Sequence, residues 1–250
     1  MDQQYYSEYY HYERNHWWFK ARLEIIRSLV RRQLEGMTNI SILNVGIATG
    51  ATSIMLEEFG SVTNLEYDKD CCEFVRKELN MEVTQASLTD LPYKDNTFDL
   101  ICAFDVIEHI EDDAAAVSEI NRTLKTSGQF MITVPAFMML WSHHDVVNHH
   151  YRRYTAGSLK DVLSGRLNIQ YLSYFNTLLF PPIAAFRLGS RIFNKKESNT
   201  STGSDFEIMK SDGIINDVFY NIFLMERAAI QRLVSLPFGV SLICTGTKRL

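Results

Sequence analysis

A chain of 250 residues can hold one α/β domain with an elaboration, and its ordinary balance of apolar and charged side chains argues against a disordered or fibrous protein. The formal net charge of −5 argues against a nucleic-acid binder, because grip on a phosphate backbone needs a basic field. Its four cysteines have neither ligand-like nor disulfide-like spacing, and the polar, aromatic start is unlike a secretory signal, so the expectation is reduced thiols in a cytoplasmic protein.

Tyr5 to Phe19 is dense in rings, and Arg22, Leu23, Ile25, Ile26, Leu29 and Val30 continue at helical spacing. That pattern predicts an aromatic arm leading into an amphipathic helix. Two roles stay open for the rings: packing on the edge of the core, or a lid over a ligand. Gly36 to Asn39 reads as the break before the core, and Ile40 to Val45 as a buried parallel strand. Within ILNVGIATG, residues 42–50, the small residues Gly46, Ala48 and Gly50 interrupt the pattern before the helix-forming run ATSIMLEEF. Strand, tight turn and helix in that order let a backbone come close to a nucleotide or nucleoside. The turn lacks a third glycine at the dinucleotide spacing, so a pyrophosphate, and with it a nicotinamide dehydrogenase, fits poorly. Ser61 to Leu65 is the next strand and delivers Glu66 where a ribose diol could sit.

Asp70 is the expected N-cap of a helix over DCCEFVRKEL, and Met81 to Thr84 a third short strand. Phe98 to Phe104 is another buried strand, placing Asp105, Glu108 and His109 at the sheet edge where ligands of doubly wound folds bind. His109 at a helix start is a candidate general base, an orienting donor or a plain cap. A helix from Asp112 to Leu124, a turn at KTSG and a strand from Gln129 to Val134 follow, with Pro135 ending the strand. Trp141 to Thr155, WSHHDVVNHHYRRYT, then gathers four histidines, an aspartate and two arginines. Imidazoles and a carboxylate are metal ligands, but the histidines come as adjacent pairs without the i, i+4 spacing of a helical zinc site, and no metal is expected. Thr155 to Leu163 is a helix with a capping box at Ser158 and Asp161, and Leu167 to Phe175 alternates as a strand.

Between that strand and the last one, Val240 to Thr247, residues 176–237 form an insert where a hairpin would suffice. It carries an apolar segment, TLLFPPIAAFRLGSRIF, a polar linker, NKKESNTSTGSD, and a later helix. Pro181, Pro182 and Arg187 interrupt the apolar segment, which argues against a membrane span. Three roles remain, in this order of preference: a lid over an apolar acceptor, a dimer face, or a surface touching the bilayer.

ILNVGIATG followed by VTNLEYD resembles the first two motifs of the class I S-adenosylmethionine (SAM)-dependent methyltransferases, LDVGCGTG and then a strand ending in an acid. DVIEHIEDD is similar to that family's D-x-L-E-H motif. HWWFKAR, the H-D and H-x-R-R-Y segments, YFNTLLFPP and SLPFGVSL resemble a bacterial subgroup of it, so the likeness covers most of the chain. Asn44 stands where the family usually has Asp, Ala48 where it has Gly, and Ser87 where an acid usually reads the adenine.

The resemblance implies a doubly wound, seven-stranded, mostly parallel Rossmann-like sheet with its last strand antiparallel, an N-terminal helical arm and a helical insert. Domain limits follow: residues 1–36 as arm and lid, 37–175 as the SAM-binding core, 176–237 as the insert and 238–250 as the final strand. It implies a SAM seat at Asn44, Gly46, Ala48, Gly50, Glu66 and Tyr67, then Ser87, Leu88 and Asp105, with Trp18 as a ring facing the sulfonium. Arg22 is the expected partner of the cofactor carboxylate, or else part of an exposed ion pair. His109, His144 and His150 are candidates to take a proton, and Trp141, Asp145, Arg152, Arg153 and Tyr154 to contact the acceptor, the arginines holding an anionic group. A clamp on the sheet edge is the other reading of that stretch. The implied activity is methyl transfer to oxygen or nitrogen of a small, hydrophobic, lipid- or glycan-linked acceptor or specialised metabolite. The rival is a non-catalytic SAM-binding partner protein.

Overall fold

The computed structural model describes residues 3–192 and 213–249. Seven strands form one sheet in the order β3-β2-β1-β4-β5-β7-β6, from β1 (Ser41–Val45), β2 (Ser61–Glu66), β3 (Thr84–Gln85), β4 (Phe98–Phe104), β5 (Leu124–Pro135), β6 (Leu167–Phe175) and β7 (Ser241–Lys248). Strand β1 runs parallel to both β2 and β4, with Asn44 opposite Asn64 on one side and Cys102 on the other. β7 runs antiparallel to β5 and β6. The chain order reverses between β1 and β4, which places a crevice at the C-terminal ends of those strands.

Alternation along the strands sends side chains to two cores. Leu43, Val45, Ile101, Ala103 and Ile132 pack on one face beneath α5 (Asp113–Thr123) and α7 (Ala156–Leu163). Ile42, Leu100, Cys102, Met131 and Ile243 pack on the other beneath α2 (Trp17–Gln33) and α3 (Ala51–Leu56). With both faces covered, the central strands read as continuous apolar runs.

Helix α1 (Gln3–Asn15) docks on α4 (Lys69–Glu78), where Tyr6 donates its hydroxyl to Asp68 Oδ1 at 2.8 Å and its ring lies 5.8 Å from that of Phe74. The expectation that residues 1–36 act together as a lid needs correction. Ile25, Ile26 and Leu29 of α2 are at most 1% exposed, each worth about 1.5–3 kcal/mol of burial, so most of α2 is core.

Several boundaries also move. Asp68, in extended backbone, caps α4 by accepting from the Cys71 amide, so Asp70 falls inside the first turn. Thr155 caps α7 with Ser158 as its reciprocal partner, one turn before the expected box. KTSG is not a turn: β5 starts at Leu124, and the irregularity shows as a register shift against β4 between Phe98 and Leu100. The third strand lies at Thr84–Gln85.

The insert contributes α8 (Phe180–Ile192), α9 (Ile214–Leu224) and α10 (Arg227–Gln231); the expected linker at 194–205 lies outside the described residues. Helix α9 packs on α2, with the Trp17 amide donating to Asn216 Oδ1 at 2.8 Å and the Trp17 and Phe219 rings 5.4 Å apart. Buried Glu226 accepts from the Thr177 and Leu178 amides, which fixes the turn into α8. Among the described residues, no helix is long and apolar enough to cross a membrane.

Candidate functional site

The crevice at the strand ends widens into a cavity of about 1070 Å³. Its floor is the β1–α3 turn. Gly46 has φ +72° and Gly50 φ +87°, and the Gly46 amide donates to the Leu65 carbonyl at 2.8 Å, so the backbone curls under the crevice. A Cβ on Gly46 would meet Val106 Cγ2 at 2.6 Å. Ala48 holds φ +48° without being glycine, a conformation that costs an alanine roughly 1–2 kcal/mol. Ala48→Gly is therefore expected to stabilise the protein by about 1 kcal/mol net of the extra chain entropy of glycine, read from the urea midpoint at constant m-value.

At the end of β2, Glu66 Oε1 accepts from the Tyr67 and Asp68 amides at 2.8 and 3.0 Å. Burial pushes its carboxyl above the usual range, with these amides and that of Ala48 opposing the shift. Beside it Ser87 and Leu88 border the cavity, Ser87 bonded to Thr89 Oγ1 at 2.7 Å. Over the floor lie Tyr6, Tyr9, Trp17 and Trp18. Arg22 borders this cavity but points its guanidinium at Asp105 Oδ2 (2.7 Å) and Thr133 Oγ1 (3.0 Å). The ion pair expected there as an exposed one is buried on the arginine side.

Two expected contacts with a ligand are not made by the side chains themselves. Asn44 is buried below the turn and donates to Ser53 Oγ at 2.7 Å and Thr52 Oγ1 at 3.2 Å. Gly50 packs under Leu79 and Met81. Both shape the turn from beneath it, outside the cavity lining.

The loop after β4 borders the same cavity at its histidine-lined end. Ile107–His109 is a short 3-10 turn, so His109 ends a helical turn instead of starting one. The loop from β5 carries α6 (His143–Val147), and its Asp145 is fully buried. Asp145 takes two bonds from Arg153, Nε to Oδ1 at 2.7 Å and the second guanidinium nitrogen to Oδ2 at 2.9 Å, plus the Ser142 amide at 2.8 Å. His150 Nδ1 lies 2.8 Å from Asp145 Oδ1. Burial alone would raise the Asp145 carboxyl, but the His150 and Arg153 bonds outweigh it and hold it well below the usual carboxylate range.

His109, His144 and His150 all border the cavity, the His109 and His150 rings 4.5 Å apart and those of His144 and His150 6.0 Å apart. His109 keeps exposed surface, and desolvation by its surroundings and the neighbouring His150 shift its imidazole below the usual range.

The expected acceptor contacts divide. Arg153 borders the cavity but is spent on Asp145. Arg152 binds Asp113 Oδ2 at 2.7 Å and the Glu111 carbonyl, and the buried Tyr154 hydroxyl donates to the same Asp113 at 2.8 Å. Arg152, Tyr154, Asp145 and Trp141 thus stand behind the wall and not on it, and the expectation that both arginines hold an acceptor anion is corrected by these internal partners.

Sequence reasoning missed two acids. Glu13 of α1 is buried against the turn, bonded to Thr49 Oγ1 and taking the Ala51 amide at 3.3 Å; nothing in its sequence neighbourhood marks it. Glu108, named only as an edge residue, is fully buried on the cavity wall, and neither carboxylate oxygen has a hydrogen-bond partner. Burial and the nearby Asp105 push its carboxyl well above the usual range. Only the fold brings it beside His150. The outer end is apolar, with Leu179, Pro182, Ile183 and Phe186 from α8 and its lead-in, and Phe219 from α9.

Residues 43–132 match the family model described as a methyltransferase domain. Over 121 residues the chain is 31% identical to the Mycobacterium tuberculosis (strain H37Rv) protein called "Probable S-adenosylmethionine-dependent methyltransferase", covering 48% of this chain and 43% of that one. The chain spans about half the length of the relatives it matches. Among solved structures, the [4+2]-cyclase SpnF superposes with a TM-score of 0.57 at 16% identity, over 91% of this chain and 81% of that one. Haemonchus contortus phosphoethanolamine N-methyltransferase 2, solved with S-adenosyl-L-methionine, gives 0.52 at 19% identity, over 89% and 52%.

Proposed function

We propose that the chain is a class I SAM-dependent methyltransferase, on the match of residues 43–132 to a methyltransferase domain and the likeness to the mycobacterial relatives, and that it transfers a methyl group from SAM to an oxygen or nitrogen of a small, largely apolar acceptor. The observation that carries this reading is one continuous cavity lined at once by the β1–α3 turn and Glu66, by the histidines, and by apolar side chains of α8.

The residues present fit the donor. Glu66 offers a carboxylate at the end of β2 for ribose hydroxyls, and Leu88 an apolar wall for a base. Glu13, Asp105 and Glu108 set carboxyl oxygens along the wall, acceptors that a polar or cationic ligand could use. Trp18, with the Arg22 guanidinium 5.3 Å over its ring, closes the cavity from above. When bound, SAM supplies a methyl group on a positively charged sulfur.

The chain's own residues do the rest. A cavity shared by both sites would hold donor and acceptor at contact distance, the main source of acceleration for such a displacement. Rings from α1 and α2 and the apolar face of α8 exclude water from the cavity. The imidazoles of His109, His144 and His150 line the same cavity and are the candidates to take the acceptor's proton. The apolar lining supports a hydrophobic or lipid- or glycan-linked acceptor, or a specialised metabolite, and favours the lid among the three roles of the insert. Its outward side chains Ile214 and Ile215 leave a dimer or membrane contact as part of the same proposal. A cytoplasmic location belongs to it too, in keeping with four buried, unpaired cysteines.

Isothermal titration with S-adenosyl-L-homocysteine, beside transfer of labelled methyl from SAM across a panel of apolar hydroxyl and amine acceptors, tests the reading. Saturable one-to-one binding and a labelled product are the expected results. Absence of binding would sink the proposal, and binding with no product across the panel would favour the non-catalytic rival.

A further inference from the structure

The histidine-lined end of the cavity holds a grouping that methyl transfer by itself does not require. Glu108, His109 and His150 each offer one ligand atom, and the three atoms lie within 4.8 Å of one another. Each histidine has one ring nitrogen committed to an oxygen. His150 Nδ1 is 2.8 Å from Asp145 Oδ1, and His109 bonds the Asn148 backbone. With those nitrogens committed, the other ring nitrogen of each histidine is the one left to a metal ion, which is the usual arrangement behind metal-binding histidines. Asp145 is locked in turn by Arg153 and the Ser142 amide.

Glu108 is the independent sign of a ligand. It is fully buried, borders the cavity, and has no hydrogen-bond partner on either oxygen. Without an ion a proton neutralises such a buried carboxyl, and a bound cation would take that proton's place; no arginine or lysine makes an ion pair with it among the described residues.

We infer that Glu108, His109 and His150 bind one divalent transition-metal ion, with its open coordination positions facing the cavity. Two imidazoles and one carboxylate suit zinc, iron(II), manganese or cobalt better than calcium or magnesium, which take oxygen ligands. With ligand distances of about 2.0–2.2 Å, the trio has to tighten by on the order of 1 Å, a motion open to His109, whose ring sits on the cavity side of the turn.

The inference rests on the proposed methyl transfer only for what fills the open position, namely an oxygen of the acceptor. Coordination acidifies such an oxygen, so His109 and His150 would act as ligands, leaving His144 as the imidazole that receives the proton. The ion site itself stands or falls on metal binding.

The test uses the full chain after chelator treatment, titrated with Co²⁺ alone and followed by the visible absorption of the bound ion. One Co²⁺ per chain, displaced by Zn²⁺, is expected, with Zn²⁺ raising the melting temperature of the wild type. Glu108→Gln and His109→Gln should each weaken Co²⁺ by about 100-fold or more, at or beyond the upper end of what a lost outer-shell partner costs. Both variants should still unfold cooperatively, since Glu108→Gln replaces only an unpartnered carboxyl. No saturable Co²⁺ binding by the wild type, or tight binding that survives both substitutions, would overturn the inference. Titration with S-adenosyl-L-homocysteine in parallel separates the readings. Nucleoside binding without cobalt binding defeats the ion alone. Cobalt binding without nucleoside binding defeats methyl transfer and leaves the ion in place.

Discussion

Glu66→Ala is expected to weaken S-adenosyl-L-homocysteine binding by about 10- to 100-fold while leaving the fold intact. The carboxylate ends β2 and lines the cavity, and it is the proposed acceptor for a ribose diol. A hydrogen bond to a charged group contributes about 1.5–3 kcal/mol, and each 1.4 kcal/mol is roughly tenfold in affinity. The side chain also accepts from the Tyr67 and Asp68 amides, so the alanine variant loosens the loop as well as removing the charge. Glu66→Gln separates the two effects: it keeps an oxygen for those amides, and its loss should be nearer tenfold. Calorimetric titration of both variants beside the wild type reads the difference. If both bind as the wild type does, the nucleoside lies elsewhere and the assignment of the Glu66 end of the cavity fails.

How much of this was legible in the sequence depends on how local the cause is. Strand β4 was read with its exact ends and β6 likewise, because a run of buried apolar residues and a period-two alternation are local patterns. The turn at Gly46 and Gly50 was legible for the same reason, since small residues between a strand and a helix leave few conformations. Caps were misplaced by one turn or less, because Asp68 and Asp70, or Thr155 and Ser158, are equally good capping residues until the backbone chooses. The acceptor side was less legible. Arg152 and Arg153 look like anion holders in sequence, but Asp113 and Asp145 claim them, and those pairings exist only once the β4 and β5 loops are brought together. His109 and His150 were named singly, but their grouping with Glu108 escaped for the same reason: spacing within one segment says nothing about a group assembled from two. Asn44 shows the opposite case, a motif position read correctly as part of the turn whose side chain works beneath it.

Asp145→Ala is expected to cost about 3–5 kcal/mol of stability, the range for removing one partner of a buried ion pair. Asp145 is fully buried and its Arg153 side chain is 3% exposed, so the alanine variant leaves a guanidinium out of water with no carboxylate. The Ser142 amide and His150 Nδ1 lose their acceptor at the same time. For a chain of this size the loss amounts to a fall on the order of 10 °C in melting temperature. The size of that effect does not mean the pair is a net stabiliser, since desolvating two charges offsets most of their attraction. The double variant Asp145→Ala, Arg153→Met distinguishes the cases. If the penalty is the orphaned charge, the second substitution should recover part of it; if the carboxylate acts mainly by holding His150 and the α6 loop, it should recover none. Urea unfolding of the two single variants and the double variant gives the coupling directly. A wild-type midpoint in Asp145→Ala would show that the loop does not depend on this buried carboxylate, and the geometry of the histidine-lined end of the cavity would then need another cause.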